Sequence, residues 1–461
     1  MTEKKLHRAV IEVDDQLLND ITDLIESKSD ILLKNILADI YPSDTAQIIN
    51  SLDDELGLEL FKILDAEIAA EVLLELNDHP RDYILETMNP NQIISLIGEM
   101  DSDDAADIIS ELEDNVAQNV LDLMEQEDSS EVKELLTYDE NTAGGIMQKE
   151  YVSVKQTDTV ELAVKAIKEA SAESENLYYV WVIDDDNRLA GSVSLLNIIV
   201  ALDTPTAIIS DIMDTEIISA DVDTDQEEVA KIFQKYDLVS LPVVDKDKQL
   251  VGKISIDDVM DIIEEEFSED VAKIVGSDAG ELESKSPMQI AWLRLPWVLI
   301  TLGIQFIAGI VIHFYDETLS KVILLTSFMP IISAISGNTG LQAAAITVRS
   351  IATRHTSVNR WKEPVMRSLQ TSLIIGSVCG LILGVIGAMW FGRITFGLVV
   401  GLSMGISINI SALIGTTTPL LSKKLGFDPA ITAGPFETAF QDVIGITVFL
   451  TLATISLKWL L

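Results

Sequence analysis

Two carboxylates stand inside an apolar run near the end of the chain. The stretch GPFETAFQDVIGITVFL (434–450) carries Glu437 and Asp442. An ionised side chain at bilayer depth costs at least about 2.5 kcal/mol and marks an ion path, a proton relay or a buried pair. On a helix Thr438, Asp442 and Gly445 share a face, and Glu437 points about 140° away from Asp442. No basic residue lies near mid-membrane in the surrounding apolar segments, so a structural salt bridge to Asp442 is not expected. A protonated carboxyl, neutral and cheap to bury, or a mobile cation remains. Asn338, Gln342 and Asn409 bring amide oxygens to similar depth. A set of oxygen donors without nitrogen or sulfur suits a hard ion such as magnesium, which keeps its waters and is met through few carboxylates.

The elements that must position these groups follow from two contrasting halves. Of 461 residues with a net charge of −44, residues 288–461 hold six acids against eleven Lys and Arg. The first 287 residues therefore carry a net −49. Such a charge repels nucleic acid and attracts cations, so divalent ions are expected partners and nucleic acid is not. Cys379 is the single cysteine, which excludes an intramolecular disulfide framework and a thiolate metal site. His7, His79, His313 and His355 are scattered and read as structural. The N-terminus, MTEKKLHRAVIEVDDQ, has no apolar core and does not read as a signal peptide, so the acidic half is expected in the cytosol.

Between about residues 30 and 137 apolar residues recur every 12 positions, from Ile40, Leu52 and Leu64 to Leu136. Segments such as PSDTAQIINSL and DSDDAADIISEL place Ser, Asp or Asn before short amphipathic runs, the pattern of capped helices of two to three turns. Stacked units of this kind form a solenoid. A second duplication covers 146–266, where YVWVIDDDNRLAGSVSLLNII (179–199) aligns with VSLPVVDKDKQLVGKISIDDVMDII (239–263). This strand, turn, Gly, strand, helix order resembles a tandem pair of CBS domains. In nucleotide-binding pairs a Ser or Thr followed three residues later by Asp holds the ribose; Ser255 and Asp258 fit and make ATP a candidate ligand, whereas Ser194 and Asn197 fit only in part. Asp257, Asp261, Glu265 and Glu269 then recur at i, i+4 and form one acidic helix stripe whose like charges repel. Bound cations would relieve it.

Five apolar segments follow, at about 291–314, 320–350, 366–391, 395–421 and 430–457, each long enough to span a bilayer. Arg349, Arg354, Arg360, Lys362 and Arg367 crowd one link and Lys423 and Lys424 another, against only Lys321 and Arg393 on the opposite side. The positive-inside rule then puts the N-terminal domains in the cytosol and, after five crossings, the C-terminus outside. Trp292, Trp297, Trp390 and Trp459 sit near segment ends, as interface anchors do.

TAGGIM (142–147), SGNTGLQAAAITVRSIA (336–352) and DPAITAGPF with Asp442 (428–442) carry a more specific likeness. Over nearly its whole length the chain resembles the MgtE-type magnesium transporters. The resemblance implies a multidomain fold: an all-α N-terminal superhelical domain (1–137), an α/β tandem CBS pair (138–256, copies about 146–207 and 208–256), a long connecting helix (257–278) and an α-helical membrane domain of five transmembrane helices (288–461). It implies a homodimer in the plasma (inner) membrane, with no enzymatic activity, moving Mg2+ into the cytosol along the subunit interface. Asp442 corresponds to the pore acid, expected to share the ion with Glu437, Asn338, Gln342, Asn409 and Thr438. Residues 258–277 match a plug helix, and Asp101, Asp103, Asp104 and Asp107 fall where regulatory Mg2+ is shared with the CBS pair and the stripe Asp257, Asp261, Glu265 and Glu269. High cytosolic Mg2+ is then expected to close the pore. One departure is Glu437, where the family pattern leads one to expect an apolar or small residue; it would face the cytosolic vestibule, add a second pore carboxylate or pair with a loop arginine. Transport of Mn2+ or Co2+, or proton-coupled cation transport, is the alternative reading.

Overall fold

The computed structural model describes residues 11, 13–170, 177–277, 287–352 and 360–460. His7, Arg354, His355 and the last residue of the connecting segment, Asp278, lie outside them. The chain divides into two units, up to Glu266 and from Phe267 onward.

Among the described residues the first unit begins with ten short helices, from α1 (Asp15–Glu26) to α10 (Gln126–Leu135), with α8 at Ser102–Glu111. Most are 8 to 10 residues long, and the 12-residue beat falls on their joints. Leu112, Met124 and Leu136 are the C-terminal caps of successive helices, and Leu76 is buried between two others. A helix this short is marginal alone, so one apolar residue per joint ties each turn of the array to the next.

The CBS pair follows as two matching halves. The first contains β1 (Ser153–Lys155), α11 (Val160–Ala170), β2 (Tyr179–Ile183), β3 (Leu189–Ser194) and α12 (Leu195–Ala201). The second contains β4 (Ala220–Asp221), α13 (Gln226–Tyr236), β5 (Ser240–Val244), β6 (Leu250–Ser255) and the long α14 (Ile256–Val275). Each sheet has three strands, with the first two parallel and the last two antiparallel. The halves exchange their opening segments: Gln148 bridges to Lys253 and Asp214 to Ser192. Gly252 and Gly191 make room for this exchange, since a Cβ there would stand 2.6 Å from Met147 Sδ and 2.8 Å from Met213 Sδ respectively. The core of the second half is continuous with that of the helical array, whereas the first half packs a core of its own.

In the second unit α15 (Pro287–Phe314), the short α16 (Asp316–Lys321), α17 (Leu325–Ala352), α18 (Lys362–Phe391) and α19 (Ile394–Leu425) precede the short α20 (Pro429–Thr432), α21 (Pro435–Ile455) and α22 (Leu457–Leu460). Five of the spans are long and apolar enough to cross a membrane. The second crossing begins at Leu325 rather than near residue 320, because Asp316–Lys321 forms a separate short helix that ends at Val322. Without a hydrophobic drive between helices in lipid, close packing needs small residues. Between α18 and α19 glycines face glycines: a Cβ at Gly397 would lie 2.2 Å from the Gly384 carbonyl oxygen. Gly397→Ala is therefore expected to destabilise the bundle by about 1–3 kcal/mol through overpacking, read as a lower melting temperature of the full chain in detergent.

Candidate ion site and acidic sensor cluster

Asp442 lies half-buried on α21, on the face turned toward α15 and α17. Ser333 Oγ of α17 donates to its Oδ1 and Gln305 Nε2 of α15 donates to its Oδ2, at 2.5 Å. A Cβ at Gly337 would meet Thr438 Cγ2 at 3.5 Å and Asp442 Oδ1 at 3.7 Å, so Thr438 and Asp442 share the face opposite that glycine. The carboxylate is held by neutral donors alone. No ion pair to Asp442 exists among the described residues.

The other amides and the second carboxylate go elsewhere. Glu437 is 1 % exposed and packs into the bundle interior, where its Oε1 would stand 3.1 Å from a Cβ on Gly415 of α19. Neither of its oxygens has a hydrogen-bond partner among the described residues, so the vestibule and loop-arginine placements are not what the structure shows. One turn on, buried Gln441 fills the space left by Gly340 and donates to the Ser411 carbonyl oxygen at 3.3 Å. Asn409 is engaged by Ser372 and by the Gly405 carbonyl oxygen. Gln342 lines a cavity of about 790 Å³ between α17, α18 and α19, beside Arg360, Glu363 and Arg367. Asn338 is exposed.

The end of α14 meets the entry to this last crossing. Lys273 Nζ bridges Glu269 at 2.5 Å and Asp428 at 3.0 Å; burial pulls its ammonium down, and the two acids together outweigh that and hold it above the usual lysine range. A Cβ at Gly434 would stand 2.8 Å from the Ile274 carbonyl oxygen, so the helix terminus sits directly against the backbone that opens α21.

In the first unit the acids of α8 collect against the first turns of α14. Burial first, then the charges of Asp258, Asp101, Asp107 and Glu150, push Asp104 up to about 8. Burial and the neighbouring Asp258, Asp104 and Asp101 push Asp103 well up as well, and its Oδ1 lacks a partner among the described residues. Burial raises Asp107 to about 6, with Glu111, Glu140 and Glu265 adding to it. Burial also raises Asp101, Asp261 and Glu265, each with further acids nearby. Asp258 is pushed to about 6 by burial, although Ser255 Oγ donates to it at 2.6 Å and Gln148 Nε2 at 3.0 Å. The two candidate ribose groups are thus bonded to each other, with Ser255 buried. Like charges in a desolvated space favour protonation, or a bound cation in its stead. Among the described residues no three acidic or imidazole side chains converge tightly enough to grip a bare ion.

Sequence reading did not single out Glu150, which accepts from the Ser102 backbone N–H at 3.1 Å and from its hydroxyl at 2.9 Å at the N-terminus of α8. A lone acid in a strand-rich stretch gives no periodic signal. Gln305 and Ser333 were missed too, and Gln305 did carry a signal: between Arg294 and His313 only it and Thr301 are polar in α15.

The comparisons with known proteins bear on the fold. Family models match at 40–141, an MgtE intracellular N domain; at 143–204 and 209–265, CBS domains; and at 329–452, a divalent cation transporter. Fold and site thus define a CBS-bearing, membrane-spanning transporter of divalent cations. The chain is 37% identical over 419 residues to the magnesium transporter MgtE of Enterococcus faecalis, covering 90% of this chain and 92% of the relative. It is 33% identical to the magnesium transporter MgtE of Thermus thermophilus, over 71% of this chain and 73% of that one. The crystal structure of the cytosolic domain of the Mg2+ channel MgtE in complex with ATP superposes with a TM-score of 0.50 at 33% identity, over 53% of this chain and 99% of that one. The chain belongs to the MgtE family of magnesium transporters.

The acids of α8 and α14 make the first unit's stability depend on pH in a defined direction. A carboxyl raised on folding stabilises the fold below the ordinary carboxylate range and loses that contribution as pH rises through its folded value. In chelator, the first melting transition of the full chain in detergent should fall between roughly pH 4 and pH 8, the window set by Asp104. Millimolar MgCl2 should remove most of this slope, and an equal slope with and without Mg2+ would exclude ions from the cluster.

Proposed function

We propose that this magnesium transporter passes Mg2+ inward along Asp442 and closes when cytosolic Mg2+ fills the acidic cluster. The observation that carries the reading is the carboxylate itself: Asp442 sits in a membrane-spanning helix, is held by two neutral donors and meets no base among the described residues. A cation at that face supplies the missing charge, and a hydrated ion is met through outer contacts with Asp442 and Thr438. Because one protomer offers one such acid there, a homodimer with its ion path at the subunit interface would present two. Glu437, Gln342 and Asn409 then serve packing or other surfaces rather than this path, and exposed Asn338 is available to it.

Closure follows from electrostatics. With Asp101, Asp103, Asp104 and Asp107 opposed to Asp257, Asp258 and Glu265, and Asp261 beside Asp257 and Glu75, the acids repel one another despite Lys253 and Arg81 nearby, and divalent ions pull the helices together. α14 carries both the acids of this cluster and, at its far end, the Lys273–Asp428 contact beside α21, so it is suited to act as the plug. Ordering of the cluster is read out where the ion enters. The N-terminal domains face the cytosol and the C-terminus the outside, in keeping with the basic links. ATP at Ser255 and Asp258 would compete with the hydrogen bonds these residues now share, and would thereby tune the acid next to Asp103 and Asp104.

Reconstituted into proteoliposomes, the native chain should take up Mg2+ and Asp442→Asn should lose that flux; persistence of flux would move the path away from this carboxylate. Replacing Asp257, Asp261, Glu265 and Glu269 together by Ala should leave currents that resist cytosolic Mg2+. Undiminished inhibition in that variant would place the sensor elsewhere.

A further inference from the structure

Asp442 depends on a residue of the first crossing. α15 is the least buried of the five spans, and between Arg294 and His313 its only polar residues are Thr301 and Gln305. Thr301 satisfies itself by donating to the Val298 carbonyl oxygen at 2.9 Å, as hydroxyls in membrane helices commonly do. Gln305 has no such local outlet. Its amide reaches 137 residues along the chain to Asp442 Oδ2, while Ala308, one turn further on, is buried in the bundle core. Glycines elsewhere on this helix meet nothing, since Cβ atoms at Gly303 and Gly309 would have open space around them. Beside the apolar packing of Ala308, Val311 and Ile312 against the bundle core, the contact to Asp442 is the polar tie from the middle of this helix to α21.

We propose that Gln305 is a positioning residue for the transported ion, resting on the reading of Asp442 as the ion-path acid. A carboxylate only accepts, so the Gln305 amide gives its NH2 to Oδ2 and keeps its own Oε1 as a neutral acceptor on the same planar group. A hydrated divalent cation presents water hydrogens outward and needs acceptors at its rim. Asp442 supplies the charge and Gln305 supplies a neutral oxygen fixed to it through the shared hydrogen bond. Ser333 on the opposite oxygen completes the clamp, so the carboxylate plane is set by α15 and α17 together rather than by α21 alone.

The test is Mg2+ uptake against Mg2+ concentration in proteoliposomes of the full chain, for the native protein, Gln305→Leu, Gln305→Asn and Ser333→Ala, with melting temperatures measured in detergent. Gln305→Leu should raise the half-saturating Mg2+ concentration about tenfold, the order expected when a hydrogen bond to a charged group is lost. This rise should exceed any fall in maximal flux, and the melting temperature should hold. Gln305→Asn, with the amide one methylene short, should fall between native and Leu; it also covers the case in which Leu fails to fold. An unchanged half-saturation in both variants, or a fall in maximal flux that follows a lowered melting temperature, would overturn the proposal. Asp442→Asn separates the two readings: flux abolished there with native behaviour in Gln305→Leu rejects only the role of Gln305, whereas flux retained in Asp442→Asn rejects the ion path itself.

Discussion

A carboxylate in a membrane helix with no base to answer it constrains the whole of the second unit. Asp442 must be met by something, and the described structure meets it with a hydroxyl from α17 and an amide from α15. These neutral donors orient the group without cancelling its charge, which leaves the electrostatic demand open for a cation. To bring them within reach, α17 and α21 must approach closely, and Gly337 provides the room opposite Thr438 and Asp442. The tight glycine contacts between α18 and α19 supply a rigid backing for that arrangement.

The first unit applies the same principle outside the membrane. Its acids are gathered where water is scarce, and burial rather than any single neighbour is the largest cause of their raised protonation. Glu150 closes the N-terminus of α8 and thereby orients the helix that bears Asp103 and Asp104 toward the first turn of α14. Like charge concentrated in a desolvated space favours protonation or a bound cation in its stead. A continuous hydrophobic core joins the helical array that carries α8 to the CBS half that carries α14.

Glu437 shows how far one residue departs from this economy. It lies one face away from Asp442, enclosed against Gly415, with both oxygens unanswered among the described residues. Gln441 beside it repeats the pattern with an orphaned amide oxygen. Buried polar groups of this kind are costly, and they lie between helices rather than on the face that carries Asp442.

The sequence by itself determined the architecture, because periodicity survives without tertiary information: the 12-residue beat located the helix joints, the repeated strand, turn, Gly, strand order located both CBS halves, and unbroken apolar length located the crossings. It also separated Asp442 from Glu437, since helical geometry alone puts them on different faces. Which side chains answer each acid was decided only by the tertiary structure. Gln305 and Ser333 lie more than a hundred residues from Asp442, and Glu150 lies 48 from Ser102, distances over which no local pattern operates. The amides Gln342 and Asn409 share the depth class of Asp442 but turn to other neighbours, because depth is written in sequence position while direction depends on how helices rotate against one another.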